Sequence, residues 1–200
     1  QFSLGDALSS RSVAQHQPFD VVIGNPPYSR GSLNQGQWIR DLIHEDDAEN
    51  SNQGYFTVNG EPLGERKQWL HDDYVKFFRV TQCLLHARNE GVLAFVTNHG
   101  YLDNTTFRGM RQSLLKTFNR IDIVNLHGNQ KKLETQKSSS SRDESVFPIS
   151  QGTAIGFFRR VNERQQIRYI SVQGSKEQKL ARLSKDDIQN GQPVTPESPH

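Results

Sequence analysis

The sequence indicates its fold most clearly in the stretch Phe19-Asp20-Val21-Val22-Ile23-Gly24-Asn25-Pro26-Pro27-Tyr28. Its apolar run predicts a short buried strand over residues 19–24. In open α/β sheets, ligands bind outside the carboxyl ends of the strands, and here a polar and aromatic tetrapeptide follows the strand directly. The stretch therefore predicts a sheet strand with a site at its end.

Outward from this stretch, apolar strands alternate with amphipathic helices. The predicted elements are, in order, helix 70–89, strand 92–97, helix 105–118 and strand 121–126, then strands 153–160 and 167–172. Because only the polar turn 161–166 separates the last two strands, we expect them to form an antiparallel hairpin. The alternation predicts an α/β domain whose sheet is mainly parallel and gains this hairpin as an antiparallel edge.

Three polar stretches interrupt the pattern, at residues 29–70, 128–151 and 185–200. With only 33% hydrophobic residues in the chain, we expect all three to be loops. A short helix over residues 175–184 comes before the last of them. The expected organisation is a catalytic part over residues 1–175, followed over 176–200 by a short helix and a linker towards a following domain.

Composition limits the class of protein. The apolar runs are too short to cross a bilayer and no signal segment opens the chain, so we expect no membrane partner. A single cysteine, Cys83, fits a reducing bacterial cytoplasm. The seven histidines are scattered without paired ligand spacing, so no metal site is expected. Residues 105–170 hold 12 Lys and Arg against 5 Asp and Glu, which suits a surface that faces phosphates.

The tetrapeptide Asn25-Pro26-Pro27-Tyr28 has the groups needed to act on an amine. Its prolines fix their own φ angles and Pro26 keeps Asn25 out of the helical region, so the Asn25 amide and the Pro26 carbonyl are held rigidly. Two acceptors on the hydrogens of an aromatic NH₂ group free its lone pair to attack a methyl sulfonium. Tyr28 offers a face on which a base taken out of a duplex can stack.

An ordinary surface turn is the alternative interpretation, because Asn and Pro are common turn formers. Two observations count against it. The tetrapeptide follows a strand directly, and an exposed turn has little reason to combine two rigid prolines with a large aromatic ring. We therefore favour the catalytic interpretation.

The tetrapeptide resembles the catalytic signature of the amino-methyltransferases. The segments 91–103, 107–111 and 143–147 resemble the adenine-specific methyltransferase region of large single-chain restriction-modification enzymes. The resemblance covers most of residues 1–175. It implies the carboxyl-terminal half of a Rossmann-like, S-adenosylmethionine-dependent methyltransferase fold, and a DNA methyltransferase that acts on the N6 amino group of a flipped adenine.

The resemblance also implies roles for single residues. Asn25 and the Pro26 carbonyl hold the target amine, while Tyr28 and Pro27 contact the target base. Gly5-Asp6-Ala7-Leu8 resembles the segment whose Asp contacts the adenine ring of S-adenosylmethionine, which gives Asp6 that role. No Gly-rich strand comes before Phe19, so we expect the cofactor-binding half to be missing. A second aromatic residue contacts the base from a later strand, and our choice is Phe158 with Phe157 as the alternate.

DNA is the expected partner. Arg108, Arg111, Lys131 and Lys132 are candidate contacts to its phosphates, although an exposed helix face and a loop explain them equally well. The resemblance also raises the expectation of attached nuclease, ATPase or target-recognition domains. Two alternatives stay open: methylation of a protein glutamine or of RNA, and a DNA-contacting fragment without catalysis.

Overall fold

The computed structural model describes residues 8, 19–27, 32, 34–44, 53–64, 68–86, 90–129, 143–184 and 192–194 of the 200 residues. Its helices and strands are, in chain order, β1 (Val21–Gly24), α1 (Gln37–His44), β2 (Thr57–Val58), β3 (Glu61–Pro62), α2 (Asp73–His86), β4 (Gly91–Asn98), α3 (Arg108–Thr117), β5 (Arg120–His127), β6 (Thr153–Arg160), β7 (Gln166–Ser171), α4 (Lys176–Leu183) and β8 (Gln192–Pro193). The predicted order of strands and helices is confirmed for β1, α2, β4, α3, β5, β6, β7 and α4.

A mixed sheet dominates the described part of the chain. Its six strands lie in the order β1-β4-β6-β5-β7-β8, while β2 and β3 form a separate antiparallel pair. Strand β1 runs parallel to β4, and β5 runs parallel to β7. The carboxyl ends of these four strands therefore point towards one edge of the sheet, which we call the carboxyl edge.

The predicted hairpin is wrong in its pairing. Strands β6 and β7 are consecutive in the sequence and antiparallel, but β5 lies between them and pairs with both. The reason lies in β5, whose residues 121–126 are all buried. A strand covered on both faces belongs in the middle of a sheet, where it takes a partner on each side. The antiparallel edge of the sheet comes instead from β8, which pairs with β7.

One face of the sheet carries the main core. Along β4 every second residue is buried, and the rings of Phe78 from α2 and Phe118 pack against Phe158 of β6 with centroids 5.4 and 5.6 Å apart. Met110 of α3 is fully buried in the same cluster. Helices α2 and α3 thus cover this face, as their apolar spacing predicts.

Helix α1 lies in a stretch for which we expected only loops. Its Ile39 and Ile43 are fully buried, and Ile39 packs with Val80 and Leu84 of α2 and with Leu8. Isoleucines four residues apart lie on one face of a helix, so a short apolar stripe was present within the polar average. Strands β2 and β3 also fall within this stretch.

Strand β1 is less buried than its sequence predicts. Its Val22 packs on the main core, but Phe19, Val21 and Ile23 are 45%, 53% and 77% exposed. They alternate along the chain and so share the other face of the sheet. Within the described residues β1 pairs with β4 alone, which makes it an edge strand with an uncovered apolar row. Among these residues, no helix combines the length and the apolar character needed to span a bilayer.

Candidate active site at the carboxyl edge of the sheet

The predicted tetrapeptide begins at the carboxyl edge. Strand β1 ends at Gly24, which lies opposite Phe95 of β4, and a Cβ atom on Gly24 would come 3.0 Å from the Phe95 ring. The next residue, Asn25, is exposed, whereas Pro26 is buried and Pro27 is exposed. The buried proline fixes the backbone while the Asn25 side chain remains accessible from solution. Tyr28 lies outside the described residues.

The end of β4 is tied to the segment that precedes β6. The Asn98 carboxamide accepts a hydrogen bond of 2.8 Å from the Gly100 amide and donates one to the Gln151 side chain. The His99 amide donates to the Gly152 carbonyl at 3.0 Å. Residues 143–152, which we call the edge segment, therefore lie at the carboxyl edge beside the end of β4.

Strands β4, β5 and β7 also share a polar network at this edge. Asn125 Oδ1 accepts from the His127 amide at 3.0 Å and lies 3.0 Å from His99 Nδ1, while Asn125 Nδ2 donates to the Tyr169 hydroxyl at 2.8 Å. Because a backbone amide can only donate, the carboxamide orientation is fixed and His99 Nδ1 must carry a hydrogen.

The comparisons with known proteins identify the family. The model of the Eco57I restriction-modification methylases matches residues 5–132. The chain belongs to this family. No curated protein matches the sequence. The predicted resemblance to the methyltransferase region of restriction-modification enzymes is thereby confirmed.

Three solved structures share the fold of this Eco57I-family chain. A DrdV–DNA complex superposes with a TM-score of 0.71 at 25% identity, over 95% of this chain and 18% of DrdV. The Type ISP restriction-modification enzyme LlaBIII bound to DNA gives 0.69 at 25% identity, over 91% of this chain and 12% of LlaBIII. A nuclease-deletion mutant of LlaGI with a DNA substrate mimic gives 0.69 at 25% identity, over 91% and 18%. The Rossmann-like methyltransferase fold is confirmed, and the chain spans less than a fifth of each structure.

Phe158 does not lie at the carboxyl edge, where we expected it to contact the target base. It is 1% exposed in the main core and pairs with Leu93, two residues before the level at which β1 ends. The alternate, Phe157, is half-buried in a smaller cluster on the opposite face of the sheet. Strand alternation was predicted correctly, but the position along the strand is that of a core residue.

The two described arginines among the predicted phosphate contacts differ. Arg108, the first residue of α3, is half-buried. Arg111 donates to the carbonyls of Tyr101 and Asn104, at 3.0 and 2.8 Å, so its guanidinium holds the turn after β4. Burial lowers the pKa of Arg111 and the charge of Asp103 opposes this. Lys131, Lys132 and Asp6 lie outside the described residues.

A buried hydrogen-bond network fixes the chain a few residues after the tetrapeptide. The Ser32 hydroxyl donates to Asp73 and accepts from Lys76 Nζ at 2.5 Å. The Asn34 amide donates to the same hydroxyl at 2.9 Å. Burial lowers the pKa of Lys76, which is only 1% exposed, while Asp73 opposes the shift. This network was not predicted from the sequence, because it joins Ser32 to Asp73 and Lys76, which lie 41 and 44 positions further along the chain.

Metal ligands are not grouped at this edge. Among the residues that the structure describes, no three His, Cys, Asp or Glu side chains are arranged to hold a metal ion. The described part of the carboxyl edge presents amides, backbone carbonyls, hydroxyls and the imidazoles of His99 and His127. These are groups that orient a neutral polar ligand by hydrogen bonds.

Proposed function

We propose that the chain is the catalytic part of a DNA methyltransferase that transfers a methyl group from S-adenosylmethionine to the N6 amino group of a flipped adenine. The observation that carries this proposal is Asn25-Pro26-Pro27 directly after β1 at the carboxyl edge, in a chain of the Eco57I restriction-modification methylase family. The three similar structures are complexes with DNA or a DNA substrate mimic, which supports a DNA substrate.

Asn25 and Pro26 form the grip on the target amine. The exposed Asn25 carboxamide and the Pro26 carbonyl each accept one hydrogen of the NH₂ group. Both bonds strengthen as the nitrogen becomes pyramidal and acquires positive charge, so they favour the transition state over the ground state. The buried Pro26 ring keeps its carbonyl in place without reorganisation during the reaction. Tyr28 stacks on one face of the base.

We place the second aromatic contact on the edge segment instead of on Phe158. The edge segment joins β6 at Thr153, which pairs with Asn98 at the end of β4. Because neighbouring strands lie about 4.8 Å apart, the start of β6 is only about 10 Å from the line of β1, within reach of a base. Phe147 lies in this segment, is half-buried, and packs against the same smaller cluster as Phe157. Unlike Phe157, it comes before β6 begins and so lies beside the carboxyl edge.

S-adenosylmethionine, when bound, would supply an electrophilic methyl sulfonium: the methyl–sulfur bond breaks as the bond to N6 forms, S-adenosylhomocysteine leaves, and the amine loses one proton to solvent. The described residues fit such a ligand beside β1, because the strand ends at the edge where open α/β sheets bind ligands and its outer side is uncovered. Asp6 is the proposed contact to the adenine ring of the cofactor. Arg108, Lys131 and Lys132 are proposed to approach DNA phosphates, and Arg111 is left out of that set because it already binds two carbonyls.

The test is methyl transfer to unmethylated DNA by the intact protein that contains this chain. Labelled S-adenosylmethionine supplies the methyl group, and digestion to nucleosides identifies the product. We expect N6-methyladenine from the wild type and a fall in kcat of at least about 100-fold in Asn25→Ala, as when one acceptor or donor of a transition-state grip is removed. Asn162→Ala, at an exposed turn far from the carboxyl edge, is the matched control.

The product decides between the alternatives. Label on a protein glutamine or on RNA would replace the DNA proposal, and equal activity of Asn25→Ala and Asn162→Ala would refute the role of Asn25. A protein that binds DNA and S-adenosylmethionine but transfers no methyl group would be a scaffold. The remaining expectations on attached nuclease, ATPase and target-recognition domains stay predictions.

A further inference from the structure

A fully buried ion pair lies where the edge segment begins. Lys179 of α4 is 0% exposed, the Asp143 side chain is 1% exposed, and their Nζ and Oδ1 atoms are 2.8 Å apart. Lys179 Nζ also donates to the carbonyls of Leu126 and Glu144, both at 2.6 Å. All three donor hydrogens of the ammonium group are thus used.

Both carboxylate oxygens of Asp143 also have partners. Its Oδ2 accepts from the Gly128 amide at 2.6 Å and its Oδ1 accepts from the Gly174 amide at 2.9 Å. The pair therefore joins three separate parts of the chain: the end of β5, the start of the edge segment, and the entry to α4. The packing is close, since a Cβ atom on Gly128 would come 2.5 Å from the Ser145 Cα atom.

A buried ion pair is an expensive way to stabilise a protein, because desolvation of both charges offsets most of their attraction. In other proteins, well-packed apolar residues often replace such a pair without loss of stability. The pair orients the backbone around it, because amide hydrogens must point at the Asp143 carboxylate and carbonyl oxygens at the Lys179 ammonium group.

The edge segment is held at its other end as well. Asn98 donates to Gln151, the His99 amide donates to the Gly152 carbonyl, and Thr153 then enters β6. Residues 143–152 are consequently fixed at both ends to the carboxyl edge on which Asn25 lies. Lys179 links α4 to the start of the edge segment through its side chain, and the Lys176 amide also donates to the Glu144 carboxylate at 3.0 Å.

We propose that Lys179 and Asp143 are positioning residues for methyl transfer: their ion pair holds the edge segment so that Phe147 meets the flipped base. This inference rests on the proposed function. Lys179 touches no substrate and acts through the segment. Its loss should impair the docking of the base and leave the binding of S-adenosylmethionine unchanged.

The experiment compares Lys179→Met with Lys176→Met in the intact protein. Lys176 is exposed on the same helix, three residues away, and so matches the change in residue type. We expect Lys179→Met to lower kcat by about 10- to 100-fold, the effect of a misplacement near 1 Å, with KM for S-adenosylmethionine within two-fold of the wild type. Fluorescence of 2-aminopurine at the target position should show less flipped base. Lys176→Met should match the wild type in both readouts.

A second readout separates this inference from the proposed function. Hydrogen exchange at the amides of residues 143–152 should rise in Lys179→Met while exchange in β4 stays protected, and this measurement needs no activity. If the wild type transfers no methyl group, the proposed function fails, yet the exchange still reports on the ion pair.

The double variant Asp143→Asn with Lys179→Met removes both charges. It replaces Lys179→Met in the same measurements if the single variant does not fold. Unchanged kcat, base flipping and exchange in a folded variant would overturn the inference. Equal loss of exchange protection across the whole sheet would also overturn it, since the pair would then be a general stabiliser.

Discussion

Gly109→Ala tests how closely the segment around β2 packs on α3. Gly109 is the second residue of α3, and a Cβ atom there would come 2.2 Å from the Tyr55 carbonyl oxygen and 2.7 Å from the Thr57 carbonyl oxygen. Both contacts involve backbone, which cannot rotate away as the end of a side chain can. The alanine therefore forces residues 53–58 and α3 apart by about 1 Å.

Two effects of opposite sign decide the outcome. Alanine favours a helix over glycine by about 1 kcal/mol in the interior and by less in the first turn. Overpacking of a close contact costs about 1–3 kcal/mol. The cost exceeds the gain, so we expect a net loss of about 1–2 kcal/mol in the free energy of unfolding. For a domain of this size that lowers Tm by about 2–8 °C.

Thermal unfolding followed by circular dichroism measures the change, with Gly36→Ala as the matched control. Gly36 is exposed, directly precedes α1, and has no atom within 4 Å of an added Cβ, so its substitution should cost only the preference of a helix N-cap for glycine over alanine, less than about 1 kcal/mol. Limited proteolysis should cut within residues 53–64 faster in Gly109→Ala. A Gly109→Ala protein with the Tm and cleavage rate of Gly36→Ala would refute the reasoning.

Further predictions concern Asp122 and α1. Burial alone would raise the pKa of Asp122, but hydrogen bonds and charges from Arg168 and Arg159 outweigh it and hold that pKa below its ordinary value. Such a carboxyl contributes stability above its unfolded pKa of about 3.9, and this contribution is lost as the pH falls through the lower folded value. Asp122→Asn should therefore lower Tm at pH 7 and flatten its fall below about pH 4; parallel Tm profiles of variant and wild type would contradict this. Ile39→Ala should cost about 2–5 kcal/mol in urea unfolding because Ile39 is fully buried. The adjacent exposed Arg40→Ala should cost less than about 0.5 kcal/mol, and equal costs would show that α1 does not pack as described.

The sequence was sufficient for elements with a clear period. The alternation of buried residues in β4 and the helical spacing of Phe78 and Leu85 are properties of single segments, so they predict strand and helix without knowledge of their neighbours. The position of Asn25 followed from the same logic, because a strand end and a residue directly after it are local in the sequence.

Pairing and register could not be predicted in that way. The insertion of β6 between β4 and β5 depends on which edges are available in the folded sheet, and the polarity of the linker 161–165 carries no information on that. The one signal in the sequence was the pair of adjacent apolar residues Ile123 and Val124, which point to opposite faces of the sheet. Both are buried, as expected for a central strand. The depth of Phe158 along β6 follows from this register and was unpredictable for the same reason.

Long-range polar contacts were equally hidden. Lys179 is an ordinary lysine on a short amphipathic helix until α4 reaches the end of β5, where three acceptors surround it. The Nδ1 atom of His99 likewise gains its hydrogen-bond partner only through Asn125, which lies 26 positions away. Average polarity also masked α1, because two buried isoleucines among polar neighbours barely change the composition of the segment.

The open side of β1 has a consequence for handling the protein. Phe19, Val21 and Ile23 form an exposed apolar stripe along a strand that pairs with β4 alone among the described residues. Such a stripe is a template for edge-to-edge association. The isolated chain should therefore self-associate as its concentration rises, and light scattering should detect this. A lysine in place of the 77% exposed Ile23 should keep the protein monodisperse, because a charge on an edge strand opposes the addition of another strand.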